Sequence, residues 1–480
     1  MRYNPELLDY EGVFPSKRSR PAGEEPIGKP VFKELDLEHP ATQPADSAPR
    51  EELPPRFVDV EAGQWTAKKG HSLTFACLFV FSIVLYVRPY ETIPALASFK
   101  QMAFYTGIVT LAVYVVSQLS LEGNLTARPR EVNMVLLLGV AALLSIPLAI
   151  DPSEAWGAFV DLFIKTILIF IVLVNVLRTE LRVKLLFWLV LAVSIYLSIN
   201  VIRDYQAGVF KIGLAETNTQ RVAGSIKGLF ENSNDLALHL VTMIPIAVVL
   251  ALVKKNPLRK IVYFGIAFLM LAAVIITFSR GGFIGLTAMT LVMARKLGRR
   301  NKTATLATLV LGIIFFLVVA PGAYGGRLAT IFNSAADVTG SSSQRTEVLK
   351  RSIWVALRYP LLGVGIGNFH HKSEHELGTH NAYTQVAAET GIPAMICYII
   401  FLVHPLRKLR LIERELFERN ENSRFYYLAI GLQASLVGYM VSSFFAAVAY
   451  QWYVYYLVGY AIALRRIYYL QAVSLTDEPK

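Results

Sequence analysis

Only two cysteines occur in the 480 residues, Cys77 and Cys397, and both lie inside apolar runs. Neither a disulfide framework nor a cysteine-based metal site is implied. Charge is scarce too. Asp, Glu, Lys and Arg make up 17% of the chain, against about 25% in soluble domains, which argues against a soluble globular class. The first residues lack the pattern of a cleaved secretory signal, being charged and proline-rich. No nucleic-acid partner is indicated, because the formal net charge of +12 reads in an apolar chain mainly as an orientation signal.

Apolar runs are what the chain has in abundance. Hydrophobic residues make up 54%, and the mean hydropathy is +0.46. The expected fold is an all-α polytopic membrane protein embedded in a lipid bilayer. About twelve spans are predicted, near Leu73–Val87, Gln101–Leu119, Asn133–Ile150, Ile164–Leu177, Lys184–Ile202, Asp235–Val253, Ile261–Thr277, Gly282–Ala294, Thr303–Ala320, Ala382–Val403, Phe425–Ala446 and Ala449–Leu464. Residues 1–70, rich in Pro, Glu, Lys and Asp without apolar period, read as a disordered cytoplasmic tail. Residues 71–470 form the transmembrane domain, and 471–480 a short cytoplasmic C-terminal tail.

Loop charge orients the spans. Every even-numbered exit is basic: Arg128 and Arg130, then Arg178 and Arg182, Lys254 to Lys260, Arg295 to Lys302, Arg407 to Arg414, and Arg465 with Arg466. The positive-inside rule places these exits and both termini in the cytoplasm. The run Ile261–Ala294 is interrupted only by Ser279-Arg280-Gly281-Gly282. A hairpin there keeps both basic flanks inside; a single long helix would put one outside. The odd exits then face outward, among them the loop 151–163 and the two longest, 203–234 and the long loop 321–379 ahead of the tenth span. These two hold basic residues that orientation does not require: Arg221 and Lys227, then Arg327, Arg345, Lys350, Arg351 and Arg358. Cations on the translocated side suit an anionic partner.

Three short stretches carry candidate chemistry. The first is Arg221-x-x-Gly224 followed by Phe230-x-Asn232-x-Asn234, with Asn234 or Asp235 a natural cap for the next helix. Turn glycines beside a solvated Arg221 are the plainer alternative. The second is Ser279-Arg280-Gly281-Gly282, where the glycines serve equally to turn a hairpin. The third, in the long loop, is the longest. Arg345-x-x-x-Leu349 precedes Pro360-x-x-Gly363-x-Gly365-x-Gly367-x-Phe369, then His380-Asn381, nine residues and Gly391. Ser343 is a candidate N-cap for a helix with the apolar pattern Val348, Leu349, Ile353, Trp354 and Leu357, which would set Arg345 in its first turn. The alternating glycines lack the strand–helix context of a nucleotide loop. His370, His371, His375 and His380 match no standard zinc spacing, so no metal is expected. A single working histidine, His380, is the preferred reading, and four structural histidines the plainer one. Glu389 follows on the next helix as a supporting carboxylate.

Together these stretches resemble the bacterial O-antigen ligase and O-antigen polymerase superfamily, over roughly residues 221–391. The chain departs from the pattern at Ser233, which stands where the family has proline between the asparagines, and at Ala394, three positions after Gly391. The resemblance implies a C-type glycosyltransferase-like membrane enzyme of the bacterial inner membrane. It implies an undecaprenyl-pyrophosphate-linked glycan donor, and lipid A–core, glycan or protein as acceptor. It implies no metal, no nucleotide sugar and no other cofactor. Arg221, Arg280 and Arg345 would hold the pyrophosphate, His380 would take the acceptor proton, and Asn381 would position a substrate group. Ligation, polymerisation and protein glycosylation all fit. A secondary transporter is a different class with a similar span count, but it would place polar groups at mid-depth and repeat its halves. Apart from His239 the spans are apolar at mid-depth, and no half-to-half repeat is visible.

Overall fold

The computed structural model describes residues 70–209, 211–212, 220–222, 224, 230, 232–320, 341–373, 377–421 and 423–476. The expected N-terminal tail, Lys227, Arg327, His375, residues 321–340 of the long loop and the last four residues lie outside the described part.

What is described is almost wholly helical, as the composition predicts. The main helices are α1 (Ser72–Val87), α2 (Met102–Glu122), α3 (Arg130–Ser145), α4 (Pro152–Ala158), α5 (Ile164–Val176), α6 (Glu180–Gln206), α7 (Ser233–Val253) and α8 (Pro257–Ile276). They continue as α9 (Arg280–Leu297), α10 (Lys302–Val319), α11 (Ser341–Arg358), α12 (Ala382–Thr390), α13 (Ile392–Glu418), α14 (Arg424–Ser442) and α15 (Trp452–Thr476). One antiparallel pairing joins β1 (Lys211–Ile212) to β2 (Gln220–Arg221). Local sequence sets many helix starts. The side chains of Asp151, Thr179, Asn232, Asn256, Ser279, Asn301, Asn381 and Ser423 each accept a bond from a first-turn N–H.

Ten helices among the described residues are long and apolar enough to cross a membrane. Helices also occupy the other two predicted spans, α9 and α15, but Arg280, Arg295 and Lys296 charge the one and Arg465 and Arg466 the other. Burial grades across the bundle. In α7 the apolar window is 83% buried, whereas in α10 none of it is. Leu317 and Val318 of α10 are left 69% and 78% exposed, an apolar surface that only lipid would cover. The central packing is α7 against α8 and α14, and α14 against α9 and α13.

Four expectations need correction. The segment 151–163 is not a loop. Asp151 caps α4, and a π-turn at Phe159–Phe163 carries the chain straight into α5. Residues 382–403 are not one helix. Gly391 adopts φ 96 between α12 and α13, and a Cβ there would lie 2.1 Å from the Leu361 carbonyl oxygen. Only glycine tolerates both that angle and that approach. Asn232, not Asn234 or Asp235, caps α7 through its bond from Asn234 N–H at 2.9 Å. The predicted apolar face of α11 is also rotated. Val348, Ser352 and Val355 are buried, while Ile353, Trp354 and Leu357 are exposed.

Between α8 and α9 the helix does break. Phe278 takes φ 51, α8 ends at Ile276 and α9 starts at Arg280, so the run 261–294 is two helices rather than one. α9 then packs mainly on α14 and α7 rather than on α8.

Candidate active site

The starts of α7, α9 and α12 gather around the turn Ser443–Phe445. The Ser279 hydroxyl donates to Asn234 Oδ1 at 2.8 Å and accepts from Gly282 N–H at 3.1 Å. Cap and neighbour thus join α9 to the start of α7. Gly281 lies against Phe445, so closely that a Cβ would sit 2.6 Å from Phe445 Cβ. From the other side Tyr383 stacks near Phe444, ring centres 4.5 Å apart, and donates to Met440 O at 2.8 Å. Arg280 and His380 therefore flank one short turn, although 100 positions separate them in sequence.

His380 and Arg345 come together. His380 is half-buried, with φ 51, in the residue pair that opens α12. Burial is the larger cause holding its pKa below the ordinary histidine value, and the Arg345 guanidinium is the second. The imidazole is therefore kept neutral near pH 7, the form that accepts a proton. Arg345 is part-exposed on α11, four residues in from Ser341 rather than in the first turn. Ser343 lies inside α11 and is not its cap. The cationic end of the arginine, not free helix N–H groups, is thus what Arg345 brings to an anion.

A glycine-rich strap holds this arrangement. Gly363, Gly365 and Gly367 all take positive φ. At Gly365, with φ 101, a Cβ would lie 2.3 Å from Ala149 Cβ. The strap's Val364 and Gly365 N–H groups donate to Ala388 and Glu389 carbonyls at 2.9 Å, and Val364 O accepts from Ile150 N–H at 3.1 Å. Asn368 Oδ1 accepts from Asp151 N–H at 2.6 Å. Thus α12, the strap and the start of α4 form one connected unit.

The remaining predicted residues fall as follows. Asn381 spends its Oδ1 on Tyr383 and Thr384 N–H groups, at 2.9 and 3.1 Å, capping α12. Glu389 is buried at the far end of α12, two helical turns from His380. Burial pushes its carboxyl up to about 8, with the Gly367 backbone, Tyr450 and Gln385 opposing that effect. Arg221 has its backbone paired with Lys211 in the short β-pairing, and its side chain lies outside the described part.

Two features escaped sequence reasoning. His370 and His371 face Glu154, which is 217 positions from His371. No local pattern signals a contact at that separation. A cleft of about 420 Å³ opens between α1, α2 and α5. Phe81, Leu111 and Leu168 wall it, Arg88, Lys100 and Lys165 rim it, and Trp452 closes one side. Two residues before Trp452, Tyr450 stacks on Phe163 at 4.8 Å and approaches Glu389. The cleft therefore lies on the flank of the strap unit.

Apolar helices this numerous, with polar chemistry gathered around a few helix starts, define a multi-pass membrane protein. Residues 265–399 match the O-antigen ligase family. The match spans Arg280, Arg345, the glycine strap, His380, Asn381 and Glu389, and supports the resemblance to the O-antigen ligase/polymerase superfamily. Arg221 lies outside the matched stretch. A search of curated proteins found no match.

Proposed function

We propose that this protein transfers a glycan from an undecaprenyl-pyrophosphate carrier to an acceptor hydroxyl, at the face of the membrane opposite the basic loops. The observation that carries this reading is Arg345 set beside a half-buried His380 whose proton affinity is lowered, within the stretch that matches O-antigen ligase. His380 takes the proton of the acceptor hydroxyl. The acceptor oxygen bonds to the anomeric carbon while the bond from that carbon to the pyrophosphate oxygen breaks, and the lipid pyrophosphate departs with the electron pair. Displacement from the opposite face inverts the anomeric centre.

Negative charge grows on the departing pyrophosphate as the bond breaks. Arg345, Arg280 and Arg221 are the cations proposed to meet it. Fixed cations stabilise that developing charge more than the ground state, so they act on rate. Asn381 supports the site by starting α12 in register, and Glu389 by filling the packing beneath the strap. The cleft between α1, α2 and α5 suits a lipid tail, having apolar walls and a basic rim. With the basic loops inside, both termini are cytoplasmic and the site faces outward from a bacterial inner membrane. No metal or nucleotide takes part in this chemistry.

The test is the product of purified protein with a lipid-linked repeat unit, with and without a lipid acceptor. Single transfers onto the lipid acceptor mean ligation, and lengthening of the donor glycan means polymerisation. Failure of both, with counterflow of labelled substrate in proteoliposomes, would replace transfer by transport.

A further inference from the structure

His370 and His371 sit on the one-turn helix Phe369–Lys372 that ends the glycine strap. Their rings are 4.1 Å apart. Glu154 of α4 stands between their Nε2 atoms, with Oε1 3.4 Å from His370 and Oε2 2.8 Å from His371. One ligand atom from each of the three residues lies within 4.8 Å of the others. The orientation of His370 is set from behind. Its Nδ1 is 3.0 Å from Gly367 O, and a carbonyl oxygen only accepts, so Nδ1 carries the hydrogen. In the neutral ring that leaves the Nε2 lone pair directed at Glu154. A backbone acceptor behind one imidazole nitrogen is the usual outer support of a metal-binding histidine.

We propose that Glu154, His370 and His371 form a binding site for a divalent transition-metal ion of the zinc class, which clamps α4 to the turn that ends the glycine strap. The donor set decides the class. Two imidazoles and one carboxylate, without thiolate, suit borderline ions such as Zn²⁺ rather than Mg²⁺, Ca²⁺ or Cu⁺. Ligand distances of about 2.1 Å in a tetrahedron require ligand atoms about 3.4 Å apart. The His370–Glu154 pair already meets that edge at 3.4 Å, the His371–Glu154 pair opens slightly from 2.8 Å, and the three ligand atoms already lie within 4.8 Å of one another. The two segments need no rearrangement, because Asn368 Oδ1 already holds Asp151 N–H at 2.6 Å and the Asp151 carboxylate caps the turn bearing Glu154. Three protein ligands leave the fourth position to water, on the solvent side where Glu154 is 41% exposed. The site is separate from the proposed proton transfer at His380. It stands or falls without that reading, since zinc binding is measured with no substrate.

The experiment uses tag-free full-length protein in detergent, stripped with chelator and titrated with Zn²⁺ against a chromophoric competitor. One equivalent should bind, and zinc should raise the thermal midpoint of the wild type. Glu154→Gln and His371→Ala should each weaken zinc at least tenfold and abolish that rise, while His380→Ala keeps both. Zinc-edge X-ray absorption of the wild type needs no variant to fold, and should show two imidazoles with oxygen ligands near 2.0–2.1 Å. Absence of binding at micromolar zinc, or a spectrum without imidazole scattering, overturns the proposal and leaves a histidine–carboxylate hydrogen bond. Loss of zinc in His380→Ala with retention in His371→Ala would overturn it as well.

Discussion

The two ends of the helix bundle differ in what their cations sit beside. At the end bearing the basic loops, cations meet carboxylates of the chain itself. Arg465 meets Glu131, Arg178 meets Glu122, Lys296 and Arg299 share Glu413, and Arg424 meets Glu180. Glu131 and Arg465 are 0% and 1% exposed. Arg299 and Arg300 also lie over Phe417 and Tyr426, at 3.8 and 4.0 Å. At the other end Arg88 meets Glu91 and Lys165 meets Asp161 in more exposed pairs, while Arg345 adds its charge beside His380, and Arg280 stands at the start of α9 beside the start of α7. Buried ion pairs brace the first end, and at the second a cation beside an imidazole suits a ligand that carries negative charge.

The sharpest break of that contrast is at His380. His380→Ala should lower the transfer rate roughly 10²–10⁴-fold with normal accumulation in the membrane, measured by product formation per mole of protein. His370→Ala and His371→Ala should be milder. Retention of rate by His380→Ala with loss in one of the others would move the base to that residue.

At the scaffold end the expected loss is of stability, not chemistry. Glu131→Gln leaves Arg465 buried without its carboxylate, a change that costs about 3–5 kcal/mol in comparable buried pairs. The thermal midpoint in detergent should drop sharply, while the rate per folded molecule stays near wild type. Normal stability with a lost rate would erase the division between the two ends.

Arginine substitutions at the site should be intermediate. Arg345→Ala and Arg280→Ala each forfeit a charge-assisted phosphate contact of about 1.5–3 kcal/mol, a tens- to hundred-fold loss in kcat/KM. Lysine should restore only part, lacking the planar fork. Two alanine variants with wild-type kcat/KM would remove the pyrophosphate from this end of the molecule.

The pH profile sharpens the same point. A histidine with a lowered pKa is neutral and active at neutral pH, so kcat/KM should fall on acidification with a midpoint below about 6.5. Burial is the larger cause and persists in Arg345→Ala, so that variant's midpoint should rise only part of the way towards the ordinary value. A midpoint unchanged by Arg345→Ala would mean that the two groups do not interact electrostatically. The smallest effect expected is at Asn381. Asn381→Ala removes the α12 cap and should cost about 1 kcal/mol, seen as a modest fall in thermal midpoint.

The sequence by itself determined most of the helices, the class and the candidate residues. Apolar runs in a low-charge chain leave few other ways to satisfy the backbone in lipid. Caps such as Ser279, Asn381 and Asn256 act within one helical turn, so start signals are local. Arg280, Arg345 and His380 were legible because motif spacing is a property of the chain alone. Only the tertiary structure decided what no local rule encodes. Gly391 breaks the predicted tenth span because Pro360–Leu362 pass against it. The 151–163 segment is helix because Asp151 caps it, with its N–H held by Asn368. α11 buries Val348 and Val355 rather than Trp354 because α12 and the strap pack on that side. Glu154 reaches His370 and His371 across more than 200 positions, since long-range proximity comes from packing, and packing has no period in sequence.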